Sequence, residues 1–234
     1  MKFIKNYFKK WNVFEIAFGI FATISFIVLT IVVRGWWVEC VAGVLTIFWC
    51  LLLAKGKVEG YIVGFVATAL YAWIAVTYSY YGELIISVAI ATPMNVFGLV
   101  QWLRHRRTDK KKGEVVVVNR VKPLEYVLLI ASQAVLAVGY YYLLRAFNTE
   151  FLIVSTIAIC TNVVGTYLLL RRDLFNTVAW LADCIVQVVL WGYLAFTVGW
   201  ETFAMLWMTI LVLVNNVYGI VNWFRLKKGQ ENEK

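Results

Sequence analysis

Ionisable side chains are scarce in this sequence. Only 15% of its 234 residues are Asp, Glu, Lys or Arg, where a soluble domain of this size carries roughly a quarter. Histidine occurs once, as His105 in the run Arg104-His105-Arg106-Arg107, and proline twice. A single histidine leaves no Ser/His/Asp set, and neither GxSxG nor HExxH occurs. A G-x-x-x-x-G-K-[ST] phosphate loop is missing too, so ATP-driven pumping by this chain alone is not expected. Cys40, Cys50, Cys160 and Cys184 form no CxxC pair and none neighbours a histidine. They read as small core residues rather than a disulfide framework or metal site. No enzymatic activity, cofactor or metal is expected.

What is abundant is apolar surface. Hydrophobic residues make up 62% of the chain, with 11 Trp, and they fall in long runs that a small aqueous core could not absorb. Eight runs stand out, at 13–33, 36–53, 60–79, 83–103, 124–144, 151–170, 175–197 and 201–224. Most reach the ~20 residues needed to cross the hydrocarbon of a bilayer as a helix. The first run is too long for a signal peptide and no small-x-small cleavage pattern follows, so it reads as a true span. The chain is therefore expected to be an all-α polytopic membrane protein with eight transmembrane helices and the lipid bilayer as its surroundings.

The net charge of +9 does not point to nucleic acid, because the basic residues sit in short segments between apolar runs. With the N-terminus in the cytoplasm, 20 of the 22 Lys and Arg fall on the inside and only Arg34 and Arg145 on the outside. That bias orients membrane proteins and supports the even span count. Both termini are expected to be cytoplasmic, in a cell inner membrane. The longest connection, 104–122, holds Lys110, Lys111 and Lys112 and then a valine run. The run is too short to span and reads as a brief strand or nothing regular, within a solvated, orienting loop. The tail from Lys228 is expected to be frayed.

Residues 95–104 read NVFGLVQWLR and residues 216–225 read NVYGIVNWFR. Six of the ten positions are identical, and both stretches end a span at a basic residue. Trp73 and Glu83 are ten apart, as are Trp191 and Glu201, and Leu51–Leu53 before Lys55 matches Leu168–Leu170 before Arg171. Spans 2–4 thus correspond to spans 6–8. Two three-helix units share an orientation only if an odd number of crossings separates them, which gives span 5 its place. The expected order is 1+3+1+3. Residues 1–34 form an accessory helix and 35–104 the first repeat. Residues 105–150 are a basic loop and linking helix, 151–225 the second repeat and 226–234 a tail. In each repeated motif Asn, Gly and Trp lie at i, i+3 and i+7 on one helix face (Asn95, Gly98, Trp102; Asn216, Gly219, Trp223). There Gly permits close packing, Trp anchors near the headgroups, and Asn bonds across helices or to a ligand.

The seventh run carries a polar stripe. Asn176, Trp180, Asp183, Gln187 and Trp191 share one helical face, with Asp183 about nine residues, or roughly 13 Å, into the membrane. A carboxylate there costs ~2.5–3.5 kcal/mol on insertion scales, so it should face a cavity or partner. The eighth run adds Asn215, Tyr218 and Asn222, and the sixth adds Asn162 and Thr166. Rings for stacking, amides for polar edges and a single acid are what a flat heteroaromatic solute needs. An interhelical hydrogen-bond network with no ligand is the alternative. The matching face of the first repeat, Met94, Phe97 and Gln101, is poorer, so the expected pocket is weighted to the second repeat, with Asn95 and Gln101 as its contribution from the first. Pro93, inside the fourth run, suggests a kink or hinge with no counterpart at Val214.

The span pattern, the N-x-x-G-x-x-x-W endings and the Trp-rich seventh run resemble the PnuC vitamin-precursor transporters over residues 35–225, and a 3+1+3 order resembles the SWEET-like architecture. That family's seventh-span pattern, W-x-x-W-x-x-x-[N/D], is met by Trp180 at the second Trp. Thr177 stands at the first Trp and Cys184 at the last position, with Asp183 one residue earlier. The resemblance implies facilitated diffusion of nicotinamide riboside by alternating access of two three-helix bundles, followed by trapping through a cytoplasmic kinase. Thiamine, riboflavin or a deoxynucleoside are alternative cargoes within the family; a non-transporting scaffold or channel subunit is the alternative outside it. A homo-oligomer stays open.

Overall fold

A computed structural model describes residues 10–77, 88, 91–109, 113–146, 151–197 and 203–232. Among them, eight helices and one small hairpin follow in order. The elements are α1 (Val13–Val32), α2 (Trp37–Ala54), α3 (Glu59–Thr77), α4 (Thr92–Arg104), β1 (Arg106–Asp109), β2 (Gly113–Val116), α5 (Pro123–Ala146), α6 (Leu152–Leu170), α7 (Asn176–Thr197) and α8 (Phe203–Glu231). Six of these helices (α1, α2, α5, α6, α7 and α8) are long and apolar enough to cross a membrane, and the protein is a multi-pass membrane protein. The early part of the expected fourth span, together with Glu83, Glu201 and the Lys110–Lys112 run, lies outside the described residues. Pro93 is the second residue of α4 as described, and Ala91 before it already has helical backbone angles.

The chain divides into two compact units, Met1–Val117 and Val118–Lys234. The segment 105–150 is thereby divided, the hairpin going with the first unit and α5 with the second.

In the first unit, α1 packs on α2 and α2 on α3, with α3 against α4. Helix α1 begins with a capping box: Glu15 N–H donates to Asn12 Oδ1 and Asn12 N–H to Glu15 Oε2, each at 2.8 Å. Phe18, Ala22 and Phe26 follow at a four-residue spacing and are the buried apolar face. A Cβ at Gly43 of α2 would come within 2.4 Å of the Phe26 ring, so only glycine admits that ring. At the charged end of the unit, Lys55 Nζ meets Glu15 Oε2 at 2.5 Å with both side chains buried, and lies 4.3 Å over the Trp11 ring. Burial pushes the Lys55 and Lys57 ammonium groups below the ordinary lysine range, Glu15 and Glu59 respectively opposing the shift.

Of the two readings of the valine run, a brief strand holds for its first two residues, which end β2. The strand pairs antiparallel with β1, Arg106 opposite Val116 and Arg107 opposite Val115, and Val115 and Val116 are wholly buried. Its free edge is closed when Val116 N–H donates to Gly56 O at 2.9 Å, which removes the unpaired strand edge that would otherwise need water.

In the second unit, α5 packs on α6, α6 on α7 and α7 on α8. Glu125 of α5 accepts from Tyr167 and pairs with Arg171 at 2.7 Å. Helix α8 is longer than the sequence suggests. The expected frayed tail is helical through Glu231 because Leu226 and Gln230 are buried and Gln230 Oε1 accepts from Val118 N–H at 2.9 Å.

The turns α2–α3 and α6–α7 close in the same way. Lys57 N–H donates to Leu52 O at 2.9 Å and Asp173 N–H to Leu168 O at 2.8 Å, the six-to-one bond of a Schellman ending. The left-handed position is Gly56 (φ 75°) in one turn and Arg172 (φ 56°) in the other.

Candidate functional site

Neighbouring residues of α7 face different helices. Trp180 lies on the α6 side, its indole filling the space beside Gly165, where a Cβ would meet the ring at 3.1 Å. Asp183, 4% exposed, lies on the same side: Thr161 Oγ1 donates to its Oδ1 at 2.7 Å, and Asn162 bonds the same carboxylate. Cys184, one position on and rotated by about 100°, is buried on the α8 side, where Asn216 Nδ2 donates to its thiol sulfur at 3.3 Å.

The polar cluster containing the acid is therefore Thr161, Asn162 and Asp183, flanked by Trp180. Every donor to the carboxylate in it is neutral. No Lys, Arg or His occurs in α6, α7 or the part of α8 before Arg225. A carboxylate so placed can pair with a cation, accept further hydrogen bonds or carry a proton; among the described residues no group of His, Cys, Asp and Glu is arranged to hold a metal.

The remaining expected residues divide. Asn215 is 1% exposed and neither atom of its amide has a hydrogen-bond partner among the described residues, a costly state for a buried amide. Asn222 is buried as well, whereas Tyr218, Gln187 and Trp191 are half-buried. Asn162 keeps part of its surface exposed while bonding Asp183.

Asn176 has a different job. It opens α7, and its Nδ2 donates to Asp173 O at 2.6 Å, seven residues before Asp183. Asn95 is tied within the first unit, donating to Thr68 Oγ1 at 3.1 Å. It also lines a cavity of about 290 Å³ with Tyr61, Phe65 and Val66. Gln101 is exposed near the end of α4. Trp102 and Trp223 are fully buried and pack inside the protein, with the Tyr61 ring edge-on to Trp102 at 5.0 Å; they are not headgroup anchors. A shallow open groove lies between α5 and α6 among Val138, Tyr141, Tyr142, Ile153 and Ile157.

Sequence reasoning missed Thr161 and the Asn216–Cys184 contact. Thr161 adjoins Asn162, so its signal was adjacency to a residue already chosen. Cys184 carries no sequence signal of its own, since its role depends on which face of α7 meets α8.

Three comparisons bear on this arrangement. The profile of the family described as nicotinamide mononucleotide transporter matches residues 36–225. The nicotinamide riboside transporter PnuC of Neisseria mucosa is 25% identical over 193 residues, covering 82% of this chain and 73% of that protein. The protein of the same name from Haemophilus influenzae is 22% identical over 218 residues, covering 93% and 92%. A crystal structure of the vitamin B3 transporter PnuC shares the fold, with a TM-score of 0.80 at 24% identity over 95% of this chain and 97% of that one.

Proposed function

We propose that this chain, which belongs to the nicotinamide mononucleotide transporter family and is a membrane transporter rather than an enzyme, carries nicotinamide riboside. The relatives named for that solute support the reading. The observation that carries it is Asp183, a buried acid inside an apolar helix whose described partners are neutral. Nicotinamide riboside is a permanent pyridinium cation, which gives such a carboxylate its missing charge partner. Riboflavin and deoxynucleosides are neutral and leave it without one.

In this reading Asp183 faces the pyridinium ring, Trp180 offers a stacking surface and Asn162 and Thr161 hold the carboxylate in place. Asn215 has an unpaired amide for the carboxamide or ribose, with Gln187, Trp191, Tyr218 and Asn222 completing the polar lining. Transport is alternating access, with the solute exposed to each side in turn. Phosphorylation by a separate cytoplasmic kinase keeps it inside.

We further propose two parallel three-helix repeats, α2–α4 and α6–α8, in a 1+3+1+3 order. The matched turns, and the burial of Asn, Gly and Trp in both copies of the motif, support that order. Both termini lie in the cytoplasm of a cell whose inner membrane the chain spans, as the distribution of Lys and Arg supports.

The test is a thermal-shift panel on purified protein with nicotinamide riboside, thiamine, riboflavin and thymidine, followed by uptake of the solute that binds. The largest stabilisation is expected from nicotinamide riboside. Stabilisation by thymidine or riboflavin but not by either cation would overturn the cargo, and the absence of any shift or uptake would overturn the carrier.

A further inference from the structure

We propose that the buried Asn216–Cys184 contact is a pin that sets the rotation of α7, so that Cys184 positions Asp183 and Trp180 for the cargo. The inference rests on the cargo site proposed above. It adds a positioning residue that acts on that site without touching the solute.

Its basis is a contact made twice. Thr68 stands eleven residues after Lys57 and Cys184 eleven residues after Asp173, the residues whose N–H groups close the two Schellman turns. In the first unit Asn95 Nδ2 donates to Thr68 Oγ1 at 3.1 Å. In the second, Asn216 Nδ2 donates to Cys184 Sγ at 3.3 Å. Both asparagines open the repeated Asn-x-x-Gly-x-x-x-Trp motif, and all four side chains are buried. The same register holds one turn earlier. Trp49 of α2 fills the space beside Gly64 of α3, where a Cβ would come within 2.5 Å of the indole. In the second unit the pair is exchanged, Trp180 of α7 lying beside Gly165 of α6. Gly64 and Trp180 both stand seven residues after their turn residue. One indole thus fills each seam, from opposite helices.

The two pins hold matching helices, but what they hold differs. The residue before Thr68 is Ala67, whereas the residue before Cys184 is Asp183. Adjacent side chains of a helix point about 100° apart. The thiol engaged by α8 and the carboxylate engaged by Thr161 and Asn162 of α6 therefore fix α7 from two sides. Without the α8 contact only α6 fixes that rotation, and any turn of α7 moves Trp180 and Asp183 together. The first pin shows what the position requires. Thr68 Oγ1 donates its own proton to Gly64 O at 2.8 Å and keeps its lone pairs for Asn95. Cys184→Thr retains such an acceptor for Asn216. Cys184→Val has the same shape as that replacement but leaves a buried amide N–H unpaired.

The experiment compares these variants of the full-length protein in detergent, reading the Kd for nicotinamide riboside by calorimetry and the unfolding temperature. Cys184→Thr is expected to bind within about twofold of the unaltered protein, and Cys184→Val about tenfold more weakly, the effect of one lost buried hydrogen bond. Thr68→Val breaks the first pin and is expected to lower the unfolding temperature while leaving Kd unchanged, because no cargo group adjoins it. An unchanged Kd in Cys184→Val, with only its unfolding temperature lowered, would overturn the positioning role and leave a packing contact. Equal weakening by Thr68→Val and Cys184→Val would overturn it as well, as would lost binding in Cys184→Thr. Where Cys184→Val does not fold, Cys184→Ala, which adds no volume, decides by the same readings. Absence of binding by the unaltered protein would instead overturn the cargo reading, and this role with it.

Discussion

The turns α2–α3 and α6–α7 use the same backbone for opposite charges. After each Schellman ending the next side chain reaches toward the chain segment 113–121. In the first turn it is Lys57, whose Nζ donates to Glu114 O at 2.8 Å. In the second it is Asp173, fully buried, which accepts from Val121 N–H and Tyr126 Oη at 2.7 Å and from Phe175 N–H at 2.8 Å. Main-chain geometry needs only a bond acceptor or donor at that position, and either sign of charge supplies it. The helices that leave the two turns differ as much. Helix α3 has no acid after Glu59, while α7 holds Asp183 about a third of the way along. The two turns thus share a backbone conformation while the polar content around them differs.

The sharpest way to break that comparison is to remove the acid that only the second unit has. Asp183→Asn is expected to cut nicotinamide riboside uptake at least about tenfold at unchanged expression, the minimum for a desolvated charge partner worth more than about 1.4 kcal/mol. Uptake assays in cells decide it, and undiminished uptake would remove Asp183 from the site.

Next come the buried charges that hold each unit together. Glu15→Gln leaves Lys55 buried without its anion and is expected to cost about 3–5 kcal/mol. Asp173→Ala leaves three donors unpaired and is expected to cost at least about 3 kcal/mol. Thermal unfolding in detergent measures both. Equal losses would say that the two units depend equally on one buried charge each.

A smaller effect, of opposite sign, is expected at Tyr61→Phe. The Tyr61 hydroxyl is buried without a hydrogen-bond partner among the described residues, so its removal is expected to raise stability by about 1 kcal/mol. Smallest of all is Arg106→Ala, since its pair with Glu114 is half in solvent on both sides. No measurable change in unfolding temperature is expected.

The placement of the apolar helices was legible because lipid demands long uninterrupted runs, and α1, α2, α5, α6 and α7 begin and end within a few residues of them. Of the eight spans expected, six are long and apolar enough among the described residues. The hairpin was legible only as one of two alternatives, a brief strand or nothing regular. KKKGEVVVV carries no period that separates a strand from a loop, and what makes β2 a strand is the waiting carbonyl of Gly56, 60 residues earlier than Val116 in the chain. Helix α8 overran its expected end for a similar reason: Gln230 is held by Val118, a contact made across 112 residues. On α7, Trp180 and Asp183 both turn to α6, yet Asn176 serves the start of its own helix, its amide donating to Asp173 O.

By itself the sequence determined that this protein lives in lipid, where most of its long apolar helices lie and that the carboxylate in the seventh should face a cavity or partner. Those conclusions follow from transfer energies that act residue by residue and do not depend on neighbours. Only the tertiary structure decided that Asp183 turns to Thr161 and Asn162 while Cys184 turns to Asn216. A rotation of about 100° per residue sends adjacent side chains to different partners, and no local pattern specifies which helix waits on each side.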